Sequence, residues 1–407
     1  MDLAILVVFC LVYMGMILGR FPGLAIDRTG VALLGAIALI ATGRLTPEAA
    51  WNAIDVPTIT LLLSLMVVSA QFRLGGFYSV VAQRLSTAQV SPSVLLLLLI
   101  GVSALLSAVP ANDIVCLAFT PLLIEGCVRR GLKPVPFLLA LACASNVGSA
   151  ATLIGNPQNM LIGQKLSLSF SGYLLDGVLP AALGCVAIWL LICWLVRGQW
   201  RQRPGTIDIP APHFDLWQTA KGSVVLAGLM AAFLFAPWPR EVVALAAAGL
   251  LLMSRYLHTR RMLAQVDWQL LVLFAGLFVV NHALAASGML AQGMERLHAP
   301  GVAIEQPVWL FGTTVVLSNL VSNVPAVMLL LPAATHPQAG AILALASTLA
   351  GNLFIVGSIA NIIVIDQAER LGIRITWREH ARVGVPVTLA TLAIAGAWLY
   401  FRAGAQC

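Results

Sequence analysis

The feature that most constrains the fold of this chain is a series of long apolar runs that recur from one end to the other. A helix that crosses a bilayer needs about 20 apolar residues, because lipid offers no partners to backbone polar groups. Of the 407 residues, 60% are hydrophobic and only 10% are charged, whereas a soluble domain carries about 25% charged residues. The pattern predicts an all-α polytopic membrane protein without a soluble domain.

The apolar runs predict about 10 transmembrane helices and two re-entrant hairpins. The predicted spans are 3–19, 28–43, 57–73, 134–164, 173–196, 221–236, 241–254, 268–286, 338–365 and 383–401. Two further apolar segments, 93–128 and 306–335, are interrupted near their centres by Pro and Asn residues. We expect these segments to be hairpins whose tips meet near the middle of the membrane. A short amphipathic stretch precedes each of them, at 75–86 and 287–300.

The two halves of the chain match each other at a nearly constant offset. The matching pairs are Asp55 with Asp267 and Gly76 with Gly288 (212 residues apart), Ser107 with Ser318, Asn112 with Asn323 and Pro121 with Pro332 (211 apart), and Gly155 with Gly357 and Asn159 with Asn361 (202 apart). Each half contains five predicted spans, an odd number, so the second half enters the membrane inverted. Inverted repeats with interrupted helices at matching positions are typical of secondary transporters, whose site lies at the repeat interface.

This arrangement predicts the boundaries of the repeats and their orientation. The first repeat covers 1–200 with a hairpin on the cytoplasmic side, 201–220 is a cytoplasmic linker, and the second repeat covers 221–407 with a hairpin on the outer side. The loops of one side collect 18 of the 23 Lys and Arg residues. By the positive-inside rule that side is cytoplasmic, so both termini are extracytoplasmic in a bacterial inner membrane. The net charge of +7 therefore indicates topology, and nucleic acid is not expected as a partner.

Four polar clusters interrupt the apolar segments, at 111–113, 145–159, 322–325 and 347–361. A broken helix frees backbone groups that cost several kcal/mol each in lipid unless they line a cavity or find partners. Half-helix N-termini attract anions, and free carbonyl groups attract cations. The alternative interpretation is that these Gly, Pro, Ser and Asn residues serve only helix packing and kinks. Four clusters, mirrored two by two, favour a binding site.

Asp113 is the only carboxylate that the predicted spans place near mid-membrane, which makes it a candidate functional residue. The alternative is that it caps the second leg of its hairpin. His282, near the outer end of its span, is interpreted as structural or interfacial.

The chain contains no HExxH, GxSxG or P-loop motif and no Cys/His metal pattern. The sequence therefore predicts neither an enzyme nor an ATP-driven pump, and no cofactor beyond a coupling ion, sodium or proton.

The two hairpins resemble those of the ion-transporter superfamily, which includes divalent-anion/sodium symporters, arsenite-efflux permeases and some sodium/proton antiporters. The symporters carry Ser-Asn-Thr at each tip and a Pro nine residues after the Asn. Here the spacing is kept from Asn112 to Pro121 and from Asn323 to Pro332. The motif itself is altered, since Asp113 and Val324 stand where the symporters have Thr. The motifs GNPQN and GSIAN stand where the family has glycine turns.

The resemblance covers nearly the whole chain and implies an elevator-type transporter. The substrate ligands that it implies are Asn112, Asp113, Thr152, Asn156, Asn159, Ser322, Asn323, Ser358 and Asn361. The implied coupling-cation positions are Ser107, Asn112, Asp113 and Gly148 at one site, and Ser318, Asn323, Val356 and Gly357 at the other. An ionised Asp113 repels a dianion, and no Lys or Arg is predicted in the core. The Asn-Asp pair looks more like the efflux and antiporter branches.

The sequence thus predicts a cation-coupled secondary transporter of a small, anionic solute. The alternatives are a proton- or sodium-coupled efflux carrier for a metalloid or cation, and a channel in which the hairpins form a fixed pore. The expected partners are a small-molecule or ion substrate and the lipid bilayer. A homodimer is one arrangement open to such a chain.

Overall fold

The computed structural model describes residues 3–19, 25–109, 112–205, 213–289 and 304–406. These residues form 19 α-helices, two short 3-10 turns and a single isolated β-bridge. The helices are α1 (Leu3–Leu18), α2 (Arg28–Ala41), α3 (Pro47–Ala53), α4 (Val56–Leu74), α5 (Phe77–Thr87), α6 (Pro92–Ser107), α7 (Asn112–Arg129), α8 (Pro134–Ser149), α9 (Pro157–Lys165), α10 (Phe170–Val196), α11 (Leu216–Phe235), α12 (Arg240–Leu252), α13 (Thr259–Leu263), α14 (Trp268–Ala286), α15 (Pro307–Val321), α16 (Asn323–Leu330), α17 (Ala339–Ala350), α18 (Ile359–Arg370) and α19 (Trp377–Gln406). The prediction of an all-α fold is confirmed.

In the described part of the chain, 5 helices are long and apolar enough to cross a membrane by length and composition. They are α4, α10, α11, α14 and α19. Several other apolar helices are shorter. Two of these, α8 and α17, begin the segments predicted as spans at 134–164 and 338–365. Each segment continues after a break into a second helix, α9 or α18. The breaks lie inside the polar clusters 145–159 and 347–361.

The two hairpins also have the predicted two-helix form. Helices α6 and α7 form the first; Pro110 and Ala111 at its tip lie outside the described residues. Helices α15 and α16 form the second, and they are separated by Ser322 alone, whose φ of 78° is in the left-handed region. A left-handed non-glycine residue costs about 1–2 kcal/mol, and here it reverses the chain between two apolar helices. The amphipathic helix α5 matches 75–86, whereas 290–303 lies outside the described residues.

The connections between the apolar helices contain more helix than the sequence predicted. Helix α11 begins at Leu216, inside the predicted linker 201–220, because the Asp215 side chain accepts a hydrogen bond from the Gln218 amide (3.0 Å) and caps the helix. The short helices α3 and α13 were not predicted. They begin 212 residues apart, at Pro47 and Thr259, which extends the internal match to the connections between apolar helices.

Apart from α5, which packs on α7, the helices divide into two groups, which we name the scaffold and the hairpin bundle. The scaffold contains α1–α4 and α11–α14, and within it α2 packs on α14 and α4 packs on α12. The hairpin bundle contains α6–α10 and α15–α19, and within it α6 packs on α8 and α10 on α19. Each group therefore draws on both halves of the chain. The helix pairs pack closely: an added Cβ on Gly276 would lie 2.8 Å from the backbone of Ala32.

The first hairpin is held against the bundle by a glycine contact. An added Cβ on Gly148, in α8, would lie 2.3 Å from the Cα of Ala104 in α6. By contrast, an added Cβ on Gly101, also in α6, would meet no described atom within 4 Å. Gly148 therefore sets how closely the hairpin leg approaches the broken helix.

We predict that Gly148→Ala destabilises the protein by about 1–3 kcal/mol, because the added methyl group pushes two backbones apart. Gly101→Ala is the matched control, since it adds the same atom to a helix at an open position and is expected to be neutral or slightly stabilising. The measurement is thermal unfolding of each variant in detergent. Equal melting temperatures for the two variants would contradict this packing role.

Candidate transport site

The break between α17 and α18 is bridged to the other half of the chain by Asn146 of α8. The Asn146 side chain is buried, with 4% exposed. Its Nδ2 donates to Oδ1 of Asn352 (2.7 Å) and of Asn361 (3.3 Å). Its Oδ1 accepts from the Ser358 hydroxyl (2.7 Å). One amide of the first half thus satisfies three polar side chains around the break in the second half.

Thr348 of α17 makes the mirrored set of contacts around the break between α8 and α9. Its hydroxyl accepts from Nδ2 of Asn156 (3.1 Å) and donates to Oδ1 of Asn159 (3.4 Å). Thr348, Ser358 and Asn361 lie 202 residues after Asn146, Asn156 and Asn159 respectively. Each of these hydrogen bonds between the halves therefore has a counterpart, made by the corresponding residues with the roles of the two halves reversed. We name these six residues the buried amide network.

Within each half, one asparagine of the network donates a hydrogen bond to a backbone carbonyl group of the unwound segment. Nδ2 of Asn159 donates to the carbonyl group of Thr152 (2.9 Å), and Nδ2 of Asn361 donates to that of Phe354 (3.1 Å). These carbonyls are also 202 residues apart. A buried carbonyl without a partner costs about 1–3 kcal/mol, so both asparagines support the unwound segments directly.

The hairpin tips contact the broken helices through serines at corresponding positions. In the first hairpin, the hydroxyls of Ser107 and Ser145 are 2.8 Å apart, and Ser145 donates to the Asn112 carbonyl group (3.1 Å). In the second hairpin, the Ser318 hydroxyl donates to Oδ1 of Asn323 and to the carbonyl group of Ser347 (3.0 Å). Each tip asparagine is thus attached to the break of its own half.

A cavity of about 390 Å³ lies between the scaffold and the tip of the first hairpin. Its scaffold wall comes from α4 and from the chain entering α14, and its bundle wall from the starts of α7, α9 and α18. The polar lining residues are Ser69, Arg73, Asn112, Asp113, Asn156, Gln265 and Asp267. The cavity therefore meets the predicted tip residues but also charged residues of the scaffold.

The electrostatics of this cavity differ from the prediction. Arg73, which the charge pattern assigned to a loop, lines the cavity together with Asp113 and Asp267. Arg73 and Asp267 are both exposed and lie at helix ends, so they add charges to the cavity without placing a basic residue in the middle of the membrane. The reason is that the cavity extends from the hairpin tip to the ends of α4 and α14, where charged residues meet water.

Asp113 lies in the first turn of α7, one residue after the helix begins, and not at the capping position. Its Oδ1 is buried and accepts no hydrogen bond from the described residues. The capping alternative is therefore not supported for this oxygen. A carboxylate near a helix N-terminus is stabilised by the helix dipole, and an oxygen without a partner is free to bind a proton or a metal cation.

The second hairpin is in a different environment. The Tyr13 hydroxyl of α1 lies 3.4 Å from the Pro325 carbonyl group, to which it donates, and 3.0 Å from Oδ1 of Asn281 in α14. The second tip is thus packed on the scaffold, while the first tip faces the cavity. The structure therefore shows two corresponding hairpins in unequal positions.

The predicted site residues fall into four sets. Asn112, Asp113 and Asn156 line the cavity, while Asn159, Ser358 and Asn361 belong to the buried amide network. Ser107, Ser318 and Asn323 join the tips to the broken helices, and the Thr152 hydroxyl donates to the Ala108 carbonyl group (2.5 Å). Gly148 serves packing, Ser322 is the turn of the second hairpin, Gly357 is buried, and Val356 is 44% exposed. None of these last four lines the cavity.

Sequence reasoning missed Asn146, Thr348, Arg73 and Asp267 as site residues. Asn146 and Thr348 are related by the same offset of 202 as the matched asparagines, which was the available signal. Arg73 and Asp267 carried no such signal, because each lies at the end of an apolar run where charged residues are common.

The paired hairpins, the mirrored breaks and the partly open cavity between two helix groups are the features of a multi-pass membrane transporter. The citrate transporter (CitMHS) family model matches residues 9–350. The chain therefore belongs to this family of secondary transporters, within the ion-transporter superfamily, and it is not an enzyme. The resemblance inferred from the hairpin motifs is confirmed.

Several known proteins are similar over most of the chain. The silicon efflux transporter LSI3 of Oryza sativa subsp. japonica is 29% identical, with 95% of each chain covered. The inner membrane protein YbiR of Escherichia coli is 30% identical over 81% of this chain and 83% of its own. The crystal structure of the YdaH transporter of Alcanivorax borkumensis has a TM-score of 0.58 at 15% identity, covering 98% of this chain and 97% of that chain. This last similarity concerns the fold.

We predict that Thr348→Val destabilises the fold by about 1–3 kcal/mol, since it keeps the shape but removes the hydroxyl that pairs buried groups of Asn156 and Asn159. Thr348→Ser keeps the hydroxyl and is the matched control. Thermal unfolding in detergent separates the two variants. A Thr348→Val protein as stable as the Ser variant would mean that the network contributes little to stability.

Proposed function

We propose that this chain is a cation-coupled secondary transporter of a small, oxygen-rich acid, working by elevator-type alternating access. In this proposal the hairpin bundle carries the solute past a fixed scaffold. The observation that carries the proposal is the cavity between the two helix groups, which holds Asn112, Asp113 and Asn156 of the bundle against Arg73 and Asp267 of the scaffold. When the bundle moves against the scaffold, the side of the membrane from which such a cavity can be reached changes. In a fixed pore it does not change.

The charge of the cavity limits the form in which the solute binds. Two carboxyl groups, Asp113 and Asp267, face one guanidinium group, that of Arg73. A multiply charged anion is repelled there unless a cation or proton accompanies it. We therefore propose that an anionic solute binds together with its coupling cation, with the side-chain amide of Asn112 donating to its oxygens. Asn156, whose Nδ2 is held by Ser149 and Thr348, shapes the wall of the cavity.

Asp113 is the proposed residue for the coupling cation. A carboxyl group removed from water without a cationic partner favours its protonated form. A sodium ion would instead be held by the carboxylate together with carbonyl oxygens of the broken helices. The remaining positions proposed from the resemblance, Ser107 and Gly148 at this tip and Ser318, Asn323, Val356 and Gly357 at the second, complete two related cation sites.

A second candidate is efflux of an uncharged, hydroxylated acid in exchange for protons or sodium. Similarity to a protein named for silicon efflux supports it, as does the excess of carboxyl groups over basic groups in the cavity. The two candidates share the chemistry of the bound groups, which are hydroxyl and acid oxygens. They differ in the net charge moved with the solute.

Transport by Asp113→Asn protein in proteoliposomes tests the coupling role. Citrate and silicic acid serve as probes, each with and without sodium and pH gradients. Because the variant keeps the side-chain shape but removes the ionisable group, we expect coupled transport to fall at least tenfold. If the cation is a proton, the variant loses the pH dependence; if it is sodium, the variant loses the sodium stimulation.

Glu125→Gln is the matched control, because Glu125 is paired with Arg129 (2.7 Å) near the other end of α7. It removes a carboxylate from the same helix and is expected to leave coupling unchanged. An Asp113→Asn protein with the wild-type rate, pH profile and sodium dependence would exclude Asp113 from the coupling mechanism.

We further propose two inverted repeats, 1–200 and 221–407, joined by 201–220, in a bacterial inner membrane with both termini outside. The matching starts of α3 and α13 support the repeats, and the similarity to an inner membrane protein supports the location. A homodimer remains the proposed assembly. In this orientation the charged ends of α4 and α14 at the cavity face the cytoplasm.

The orientation predicts that Cys407 is labelled by a membrane-impermeant maleimide added to intact spheroplasts. The other six cysteines need replacement first, and Cys10, the exposed one among those described, is the most important of them. A cysteine introduced at Arg255, in a predicted cytoplasmic loop, is the control and should react only in inverted vesicles. Labelling of Cys407 solely in inverted vesicles would reverse the proposed topology.

A further inference from the structure

The end of helix α9 is held to the scaffold by three successive residues. The Gly163 carbonyl group accepts a hydrogen bond from Arg240 (2.7 Å), and Nε2 of Gln164 donates to Glu241 (3.0 Å). Lys165 forms an ion pair with Asp55, the capping residue of α4. We name these contacts the α9 clamp. They connect the hairpin bundle to two scaffold helices, α4 and α12, which come from different halves of the chain.

The ion pair of the clamp is formed in a partly shielded place. The Asp55 side chain is 14% exposed and that of Lys165 42%. Burial raises the pKa of the Asp55 carboxyl group, but hydrogen bonds from Lys165 and Thr58 outweigh this effect and leave the pKa below its ordinary value. The pair is therefore charged at neutral pH, and separating the bundle from the scaffold here requires breaking it.

The corresponding residues of the opposite half do not make these contacts. Arg28 lies 212 residues before Arg240 and, like it, is the first residue of its helix. Arg28 donates to the Met16 carbonyl group of its neighbouring scaffold helix (3.2 Å). Asp267, the counterpart of Asp55, caps α14 in the same way but lines the cavity. The clamp is thus formed on one side only, the side opposite the cavity.

On the side without the clamp, the corresponding residues could still pair a hydrogen-bond donor with an acceptor at each of the three positions. The counterparts of Gly163, Gln164 and Lys165 are Ile365, Asp366 and Gln367, each 202 residues later. At the first position Ile365 offers Arg28 a backbone carbonyl group, the same kind of acceptor that Gly163 offers Arg240. The second pair becomes Thr29 with Asp366, a hydroxyl donor with a carboxylate acceptor. The third becomes Asp267 with Gln367, a carboxylate acceptor with an amide donor.

In the second pair the donor and the acceptor are reversed: the bundle provides the donor at α9 and the acceptor at α18. A donor is matched with an acceptor in both cases. At the end of α9 the bundle donates through Gln164 and the scaffold accepts through Glu241. At the end of α18 the scaffold would donate through Thr29 and the bundle would accept through Asp366. At present Asp366 pairs with Arg370 of its own helix (2.9 Å), and its side chain is 51% exposed. An exposed pair of this kind contributes little to stability, so it can exchange partners readily.

We propose that Arg28, Thr29 and Asp267 are positioning residues that bind the end of α18 when the transporter adopts its opposite conformation. This inference rests on the alternating access proposed above. The α9 clamp closes one side while the cavity is open on the other, and an α18 clamp of Arg28, Thr29 and Asp267 with Ile365–Gln367 closes the cavity side in turn. Because α9 and α18 belong to one bundle, the two clamps exclude each other.

Disulfide trapping in membranes tests the proposal. Gln164→Cys with Glu241→Cys reports the α9 clamp, and Thr29→Cys with Asp366→Cys reports the α18 clamp. Thr42→Cys with Asp366→Cys is the control, since Thr42 is at the other end of α2, about 20 Å from Thr29 by helix rise. Mass spectrometry of linked peptides allows the native cysteines to remain.

We expect both clamp pairs to cross-link under mild oxidation at least tenfold more than the control pair. Each cross-link should reduce transport at least tenfold, and a reducing agent should restore it. Lys165→Met together with Arg240→Gln weakens the α9 clamp and should raise the rate of α18 cross-linking several-fold. A purely structural role for these residues would leave that rate unchanged.

A failure of this inference is distinguishable from a failure of the proposed function. Met66→Cys, in the scaffold wall of the cavity, reports access to a water-soluble maleimide. If its labelling changes with solute or coupling ion while Thr29→Cys and Asp366→Cys stay unlinked in an active protein, alternating access stands and the α18 clamp is wrong. If its labelling never changes, the elevator proposal itself is overturned.

Discussion

The buried amide network is the interaction on which the rest of this structure depends. Two helices of the hairpin bundle are broken inside an apolar protein, and the freed backbone groups cost several kcal/mol each without partners. Asn159 and Asn361 satisfy carbonyl groups of the breaks, and Asn146 and Thr348 connect these asparagines across the two halves. Without these bonds the breaks would be too costly, and the hairpin tips would have no polar surface to contact.

The network joins the two halves symmetrically, but the surroundings are unequal. One tip is packed on the scaffold through Tyr13, and the other faces a cavity. The bundle is held at the end of α9 and not by the corresponding contacts at α18. The bundle is symmetric, but its contacts with the scaffold are not. Exchanging the roles of the two halves gives a second set of matched contacts, which would hold the bundle in an equivalent position on the other side. The alternating access proposed above rests on that relation.

The division of polar chemistry also follows from the architecture. The bundle contributes amides, hydroxyls and Asp113 to the cavity, whereas the scaffold contributes the charges of Arg73 and Asp267. Charged groups are tolerated at helix ends, where water reaches them, and are expensive at mid-membrane. Movement of the bundle therefore changes which charges the solute and its cation meet.

The sequence by itself determined the all-α membrane fold, both hairpins, the two breaks and the matched asparagines, because apolar length and interrupting residues are local properties repeated at a constant offset. The bond from Asn146 to Asn361, the approach of Arg73 to the first tip and the pairing of Lys165 with Asp55 were decided only by the tertiary structure. These contacts join residues that are distant in the chain and belong to different helix groups. Which side is closed is likewise a property of the packing, because residues at equivalent positions of the two halves make the contacts on one side and not on the other.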